Sequence, residues 1–433
     1  MKSARRYAFD VLLDVSRGAY ANLRLKQATA VYPSEAAFMS ALVYTTLDHL
    51  LYIDFIIDSF CAKKPKPTVR CVLELGVCQI LFMSIPERAA CDESVKLVKE
   101  IGKGALAGYV NALLRSVTLA RSNLPEPRGS DAFKLSIKHS YPLWLVERLC
   151  EQLGIQQAEA LMAYSGRRQL AFFENSLVST DVVMQELSKR NLPFERGRLA
   201  TDCIYCGLTD VSHDPLYTDG AICVQSEASM LVCDVADPQK GMRVLDACAA
   251  PGGKSVRMAA KMGWGTIHAW DVHPHRVELI HKNAARCHAG FVTPMLQNAE
   301  EYLPELSEMF DLVLVDAPCS GLGVVGSKPD IKYSKSFEMI NQLSQLQRSI
   351  LACCARYVRK GGALVYSTCT IMREENEENV AWLLEQFPEY RLDRIRIKLP
   401  NGTIGQRNSS GTLQLYPHID GVDGFFVARL VRQ

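Results

Sequence analysis

The sequence has 433 residues, of which 48% are hydrophobic and 22% charged, with a formal net charge of +2. So long a chain exceeds one ordinary core and predicts two or three domains of soluble globular composition. No basic N-terminal segment leads into a long apolar run, and Asp54 and Asp58 break the apolar stretch around 51–60, so neither secretion nor a membrane span is expected and the cytoplasm is. The 15 cysteines are spread through helical and strand-like patterns and read as small buried hydrophobes in a reducing compartment.

Residues 2–120 read as helix throughout. Ala4, Phe9, Leu12, Leu13 and Val15 form a first amphipathic face, Pro33-Ser34-Glu35 marks a helix start, and 35–60 carries apolar residues at helical spacing. A basic turn at Lys63–Pro67 precedes an apolar helix over 69–83, Pro86 breaks it, and two further helices follow over 92–101 and 107–118. Residues 1–122 hold 16 Lys+Arg against 11 Asp+Glu, an excess that permits contact with nucleic acid without requiring it. The segment from Ser84 to Arg115, SIPERAACDESVKLVKEIGKGALAGYVNALLR, resembles the signature of NusB-like RNA-binding domains. A helical bundle with a solvated basic turn is the plainer alternative.

Residues 122–135, rich in Pro, Gly, Ser and charge, read as a linker. A strand at 170–176, a helix at 181–190 and a strand from 192 suggest a small α/β lobe. The CxxC at Cys203–Cys206 has no partner pair or histidine cluster nearby, so two incidental cysteines are expected there rather than zinc ligands. From Met242 strands alternate with helices: strands at 243–246, 266–271, 292–296, 311–316 and 363–368, helices at 277–289 and 338–356. That alternation predicts a mainly parallel sheet covered on both faces, with ligands at the carboxyl ends of its strands. Gly421–Leu430 reads as a last strand, antiparallel at the far end of the sheet.

The first of these strands runs into Asp246–Lys254, DACAAPGGK. Small residues let backbone approach a ligand, and the helix that follows offers N–H groups to a carboxylate. GxGxxG is absent, which disfavours a dehydrogenase. Asp271, ending the second strand, can accept from both ribose hydroxyls, which fits S-adenosylmethionine or NAD but not NADP. An ordinary α/β connection remains the alternative for the turn alone.

Cys319, in DAPCSG, and Cys369, in STCT, follow apolar runs and project from strand ends on the cofactor side. Paired cysteines suit alkylation at C5 of a pyrimidine. A thiolate adding to C6 makes C5 nucleophilic, and loss of the C5 proton then expels the thiolate. The base must leave its stack to be reached.

AAPGGKS, DAPCSGLG, KPDIKY and YSTCT, with GVDGFF near the end, resemble the RsmB (Sun/Fmu) family of RNA cytosine-C5 methyltransferases, whose bacterial members carry the NusB-like domain in front. The resemblance implies a multi-domain chain: an all-α NusB-like bundle (1–122), a linker with helices (123–164), a small α/β RNA-binding lobe (165–228) and a Rossmann-like class I methyltransferase sheet (229–433). It implies methylation of cytosine C5 in 16S ribosomal RNA, family-typically at cytosine 967, with S-adenosylmethionine as cofactor. Cys369 would be the nucleophile, Cys319 the release residue, and Asp316 the group that orients the base and faces the cofactor. Cys248, Ala249, Ala250, Pro251, Gly252, Gly253, Lys254 and Asp271 would hold the cofactor. Asn298 stands where the family has an acid, which implies weaker binding of it. Gly326-Ser327 stands where two arginines are usual, Ser226 where Asp is common and Phe173 where Arg is. Lys328 and Lys332 are candidates for the RNA backbone or the active-site floor, with solvated lysines the alternative. The expected partner is 16S rRNA, naked or in an early small-subunit particle, bound by a monomer without metal or membrane. Rival readings are the same chemistry on tRNA or another RNA, a non-catalytic RNA-binding or assembly factor, and a DNA methyltransferase.

Overall fold

The computed structural model describes residues 2–166, 170–178, 181–200, 202–208, 211–395, 397 and 411–433. Its contacts divide the chain into two units, Met1–Tyr164 with Ser327–Phe337, and Ser165–Gly326 with Glu338–Gln433.

The first unit is helical: α1 (Ala4–Val15), α2 (Ala21–Val31), α3 (Ala36–Asp48), α4 (Leu50–Phe60), α5 (Pro67–Leu81), α6 (Glu87–Glu100), α7 (Ala107–Leu119), α8 (Asp131–His139), α9 (Leu143–Leu153) and α10 (Ile155–Ala163). Ser3 caps α1 through Arg6 N, and the face led by Phe9 and Leu12 is buried. The long apolar segment 35–60 is two helices, parted at His49, whose ring stacks on Phe82 at 3.8 Å. Helix α5 starts on Pro67, where a missing N–H is harmless, and is apolar nearly all round because the others pack about it. Gly76 admits α7 closely, since a Cβ there would lie 2.8 Å from the Leu114 methyl groups. The expected linker is shorter than its composition suggests: α8 begins at Asp131, capped by Ser130 through Phe133 N.

A late segment completes this unit. Ser327–Phe337 contains a 3-10 turn, Pro329–Tyr333, that meets helix ends. Asp330 Oδ2 accepts from Ala21 N at 3.1 Å, at the start of α2, where Tyr20 offers no side-chain cap. Lys332 Nζ donates to the Asp48 carbonyl at 3.1 Å, and Tyr333 OH lies 2.7 Å from the Leu47 carbonyl and 2.9 Å from that of Ser140. The acid sits on a helix N-terminus and the base on a helix C-terminus, as the peptide dipoles favour.

The second unit holds two sheets. The smaller is antiparallel: β1 (Leu170–Glu174), β2 (Phe194–Arg196), β3 (Cys203–Cys206) and β4 (Ile222–Val224), in the order β2-β3-β1-β4. Cys203 and Cys206, three apart on a strand, face different cores. The larger sheet comprises β5 (Arg243–Asp246), β6 (Thr266–Asp271), β7 (Val292–Leu296), β8 (Phe310–Asp316), β9 (Val358–Thr368), β10 (Tyr390–Leu392), β11 (Thr412–Leu415) and β12 (Phe425–Arg432). Its order is β10-β12-β9-β8-β5-β6-β7, with β11 also on β12. The five strands from β9 to β7 are mutually parallel, and β12 runs antiparallel to β9. The last strand therefore lies inside the sheet, flanked by β9 and β10, and not at its far end as expected. Strand order reverses between β5 and β8, which opens a crevice at their carboxyl ends, where ligands bind in such sheets.

Among the described residues no single helix is long and apolar enough to cross a membrane. One pair, Pro33–Asp48 with Leu50–Phe60, would qualify jointly, but it is bent by 74° and its apolar side chains lie in the helical core.

Candidate active site

Val244 and Leu245 bury β5 and bring Asp246 to the crevice, and the chain then turns through Cys248–Gly252 into the helix Gly253–Met262. Gly252 has φ +101°, and a Cβ on it would come within 3.2 Å of Ile280 Cα, so both the conformation and the helix packing exclude a side chain. That helix has no side-chain cap, which leaves its first N–H groups for a ligand. A cavity of about 150 Å³ lies here. Asp246, Cys248, Ala249, Ala250, Pro251, Gly253, Lys254 and Asp316 line it, as do Gln225 and Ser229, which the sequence reading did not select.

Lys254 Nζ and Asp316 Oδ2 form an ion pair at 2.7 Å. Burial lowers the affinity of Lys254 for its proton, but Asp316 outweighs this and raises it, so the lysine is charged. Ser367 Oγ donates to Asp316 Oδ1 at 2.8 Å, so both carboxylate oxygens are engaged. Asp246 is fully buried: Oδ2 accepts from Ser255 Oγ at 2.6 Å, while Oδ1 has no partner among the described residues. Burial, with Asp316 nearby, pushes its carboxyl up to about 7.

Beyond Asp316, the loops after β8 and β9 bring Cys319 Sγ and Cys369 Sγ to 3.2 Å, and Cys369 N–H points at Cys319 Sγ at 3.3 Å. The hydrogen bond to Cys369, with burial behind it, pushes the Cys319 thiol well up from the usual cysteine range. Either thiol can be the donor in this sulfur–sulfur contact.

Asp271 and Asn298 stand at the ends of β6 and β7, outside the cavity lining. Asp271 Oδ1 accepts from His273 N at 2.9 Å, and its Oδ2 is 3.8 Å from Arg276 Nη1. Asn298 Oδ1 accepts from Glu300 N at 3.1 Å and its amide reaches Glu301.

Lys328 is exposed, whereas Lys332, for which the sequence left an RNA-backbone contact, the active-site floor and a solvated lysine open, is not on the surface. Only 2% exposed, it lies within the helical unit, 4.6 Å from the Tyr141 ring, and burial lowers its ammonium to about 7. Lysines and aspartates alternate in KPDIKY as they would on a solvated turn, so nothing in the sequence distinguishes this one. Phe173 is likewise a core residue, under the guanidinium of Arg257 at 5.2 Å, and Ser226 caps the helix Glu227–Ala236.

Two family profiles match: NusB family over residues 2–119, and 16S rRNA methyltransferase RsmB/F over residues 233–431. The chain is 33% identical to a probable ribosomal RNA small subunit methyltransferase B of Bacillus subtilis, over 99% of this chain and 98% of that one. The chain belongs to the RsmB/F methyltransferase family. A Synechocystis relative bearing the same description is 30% identical over 99% of both chains. Among solved structures, that of PH0851 superposes with a TM-score of 0.83 at 25% identity, covering 100% of this chain and 99% of that one. A methyltransferase homolog from Pyrococcus horikoshii gives 0.60 at 26% identity over 71% of this chain and 100% of its own.

S-adenosylmethionine is the cofactor of an RsmB/F methyltransferase, and the cavity suits it. Its methionine end carries an ammonium and a carboxylate. Asp246 Oδ1 is a buried acceptor lacking a donor, and the uncapped helix start supplies donors. Gly253 leaves open space where a Cβ would stand. Asp271, which the resemblance assigns to the cofactor, ends the neighbouring strand.

Proposed function

We propose that this protein transfers a methyl group from S-adenosylmethionine to C5 of a cytosine in 16S ribosomal RNA, at the position corresponding to the family-typical cytosine 967, in the cytoplasm. The contact between Cys319 and Cys369 at 3.2 Å, beside the Lys254–Asp316 pair, carries this reading. S-adenosylmethionine supplies an electrophilic methyl group. Cys369 Sγ adds to C6 of the flipped cytosine, and electron density moves to C5, which takes the methyl. Transfer of the C5 proton to solvent restores the ring and expels the Cys369 thiolate, beside which Cys319 Sγ lies at 3.2 Å to assist its departure. Asp316, steadied by Ser367 and Lys254, orients the base. Cys248–Lys254, Asp271 and Asn298 hold the cofactor, and Asp246 and Gln225 join them on the cavity wall. Lys328 is kept as an RNA-backbone contact; the burial of Lys332 argues against that role for it.

The test is incubation with methyl-labelled S-adenosylmethionine and unmodified 16S rRNA, tRNA or DNA, followed by nucleoside analysis. Label is expected as 5-methylcytosine in 16S rRNA. Label in tRNA alone would move the substrate and keep the chemistry. No label in any nucleic acid would leave a non-catalytic RNA-binding factor.

A further inference from the structure

Behind the two cysteines lies a carboxylate that the chemistry above does not use. Glu375 is 0% exposed. It accepts from the Ser320 backbone N–H at 2.8 Å, from Ser320 Oγ at 2.6 Å and from Gln347 Nε2 at 3.0 Å. Ser320 Oγ is also 2.7 Å from Thr370 Oγ1, and Gln347 Nε2 donates to the Pro318 carbonyl at 2.9 Å. Pro318 and Ser320 flank Cys319, and Thr370 follows Cys369. Both cysteine loops are therefore fastened to one side chain.

All these donors are neutral. A buried carboxylate without a cation is a costly fastening if holding loops were its sole task, because an amide of the same shape could accept the same bonds without a desolvated charge. Burial raises the Glu375 carboxyl and the bonds from Ser320 and Gln347 act against that, and the charge it carries when ionised has a local effect. A carboxylate next to a thiol pair disfavours a second negative charge on the nearer sulfur, and Glu375 raises the Cys319 thiol in addition to the hydrogen bond from Cys369 and burial.

We propose that Glu375 is a positioning residue for the cysteine pair: it fastens the two loops at sulfur contact distance and sets a carboxylate behind Cys319, so that Cys319 is the slower of the two thiols to react. This rests on the cysteine-pair reading of the active site. The other titratable groups about the pair are Asp316 with its partner Lys254 at the end of β8, and Tyr366 in β9 with Arg348 beyond it. Tyr366 donates its hydroxyl to the Glu375 backbone carbonyl.

The test needs neither RNA nor methyl donor. The full chain is alkylated with iodoacetamide between pH 6 and 9, and modification of Cys319 and Cys369 is followed by peptide mass spectrometry. In the wild type Cys369 is modified first and Cys319 stays slow across the range. Glu375→Gln keeps the acceptor oxygen and removes the charge, so Cys319 modification at pH 8 should rise roughly tenfold, the effect of about one unit in thiol ionisation. Glu375→Asp, which keeps the charge, should return it towards the wild-type rate. Unchanged pH profiles for both thiols in Glu375→Gln would overturn the proposal and leave Glu375 a structural tie. Should that variant not fold, Ser320→Ala decides: it cuts the Oγ bridge to Thr370 while Gln347 and the Ser320 N–H still hold the carboxylate. Cys319 then stays slow; a Cys319 that becomes as reactive as Cys369 overturns the role of the charge. Failure of methylation with normal thiol profiles would instead count against the proposed function alone.

Discussion

Lys254 Nζ stands 2.7 Å from Asp316 Oδ2, joining the cofactor turn after β5 to the strand end that precedes Cys319. The two strands are parallel neighbours, so the pair spans the crevice where strand order reverses. Among the described residues Lys254 is also the one positive side chain on a cavity wall that carries Asp246 and Asp316. Lys254→Met should leave two carboxylates facing each other and cut methyl transfer at least a hundredfold, the scale of losing a buried charge-assisted bond. Calorimetric titration with S-adenosylhomocysteine, run beside the transfer assay, separates lost binding from lost chemistry.

The cysteines should fail in different ways. Cys369→Ala should abolish transfer and form no covalent complex. Cys319→Ala should still add to the base and accumulate a protein–RNA adduct, visible as a slow-migrating band on a denaturing gel. An adduct seen only with Cys369→Ala would reverse the two roles.

Asp246 gives the cofactor-free protein a pH signature. Its carboxyl is raised to about 7 by burial, against about 3.9 when unfolded. Between those values the folded state holds a proton that the unfolded state has released. This contribution is therefore most favourable below about pH 4 and is lost as pH rises to about 7, by up to about 1.4 kcal/mol per pH unit. Asp246→Asn should flatten the fall in melting temperature between pH 5 and 7. It should also weaken S-adenosylhomocysteine, because the buried acceptor for an ammonium becomes an uncharged amide.

Lys332 has the opposite sign. Burial lowers its ammonium to about 7, well below the unfolded value of about 10.4, so from pH 7 to 10 the unfolded chain holds the extra proton. Stability from this group rises with pH over that window, and its full cost is present below pH 7. Lys332→Met should remove that slope from the melting curve and leave the salt dependence of RNA binding unchanged. A reduced salt slope would return Lys332 to the RNA contacts.

The parallel part of the large sheet was legible in the sequence. Apolar runs ending in Asp246, Asp271 and Asp316 mark strands buried on both faces, and three predicted strands match the observed ends: Arg243–Asp246, Thr266–Asp271 and Val292–Leu296. Cys319 and Cys369 were legible as strand-end residues, because two short motifs placed them there. Short edge strands such as Tyr390–Leu392 carry too few residues to show alternation, so the inner position of β12 could not be read. Glu375 was hidden in the acidic run REENEEN, which reads as a solvated helix start. Its burial arises from Ser320, Gln347 and Thr370, none of them near in sequence except the last. Asp246 was legible as the start of the cofactor turn, but not as an unpartnered acceptor, and Gln225 was missed as a lining residue, because enclosure is a property of three dimensions and not of residue type.

The segment that meets the ends of α2, α3 and α8 bears on how this protein can be taken apart. A gene truncated after Tyr164 would encode every helix of the first unit, yet leave Ala21 N and the Leu47, Asp48 and Ser140 carbonyls without the partners they have in the whole chain. The complementary fragment would turn Lys332 and Tyr333 out into water. Transplanting the NusB-like module onto another enzyme thus means carrying 11 residues that the linear order assigns to the catalytic half, Ser327–Phe337, or replacing their capping groups one by one.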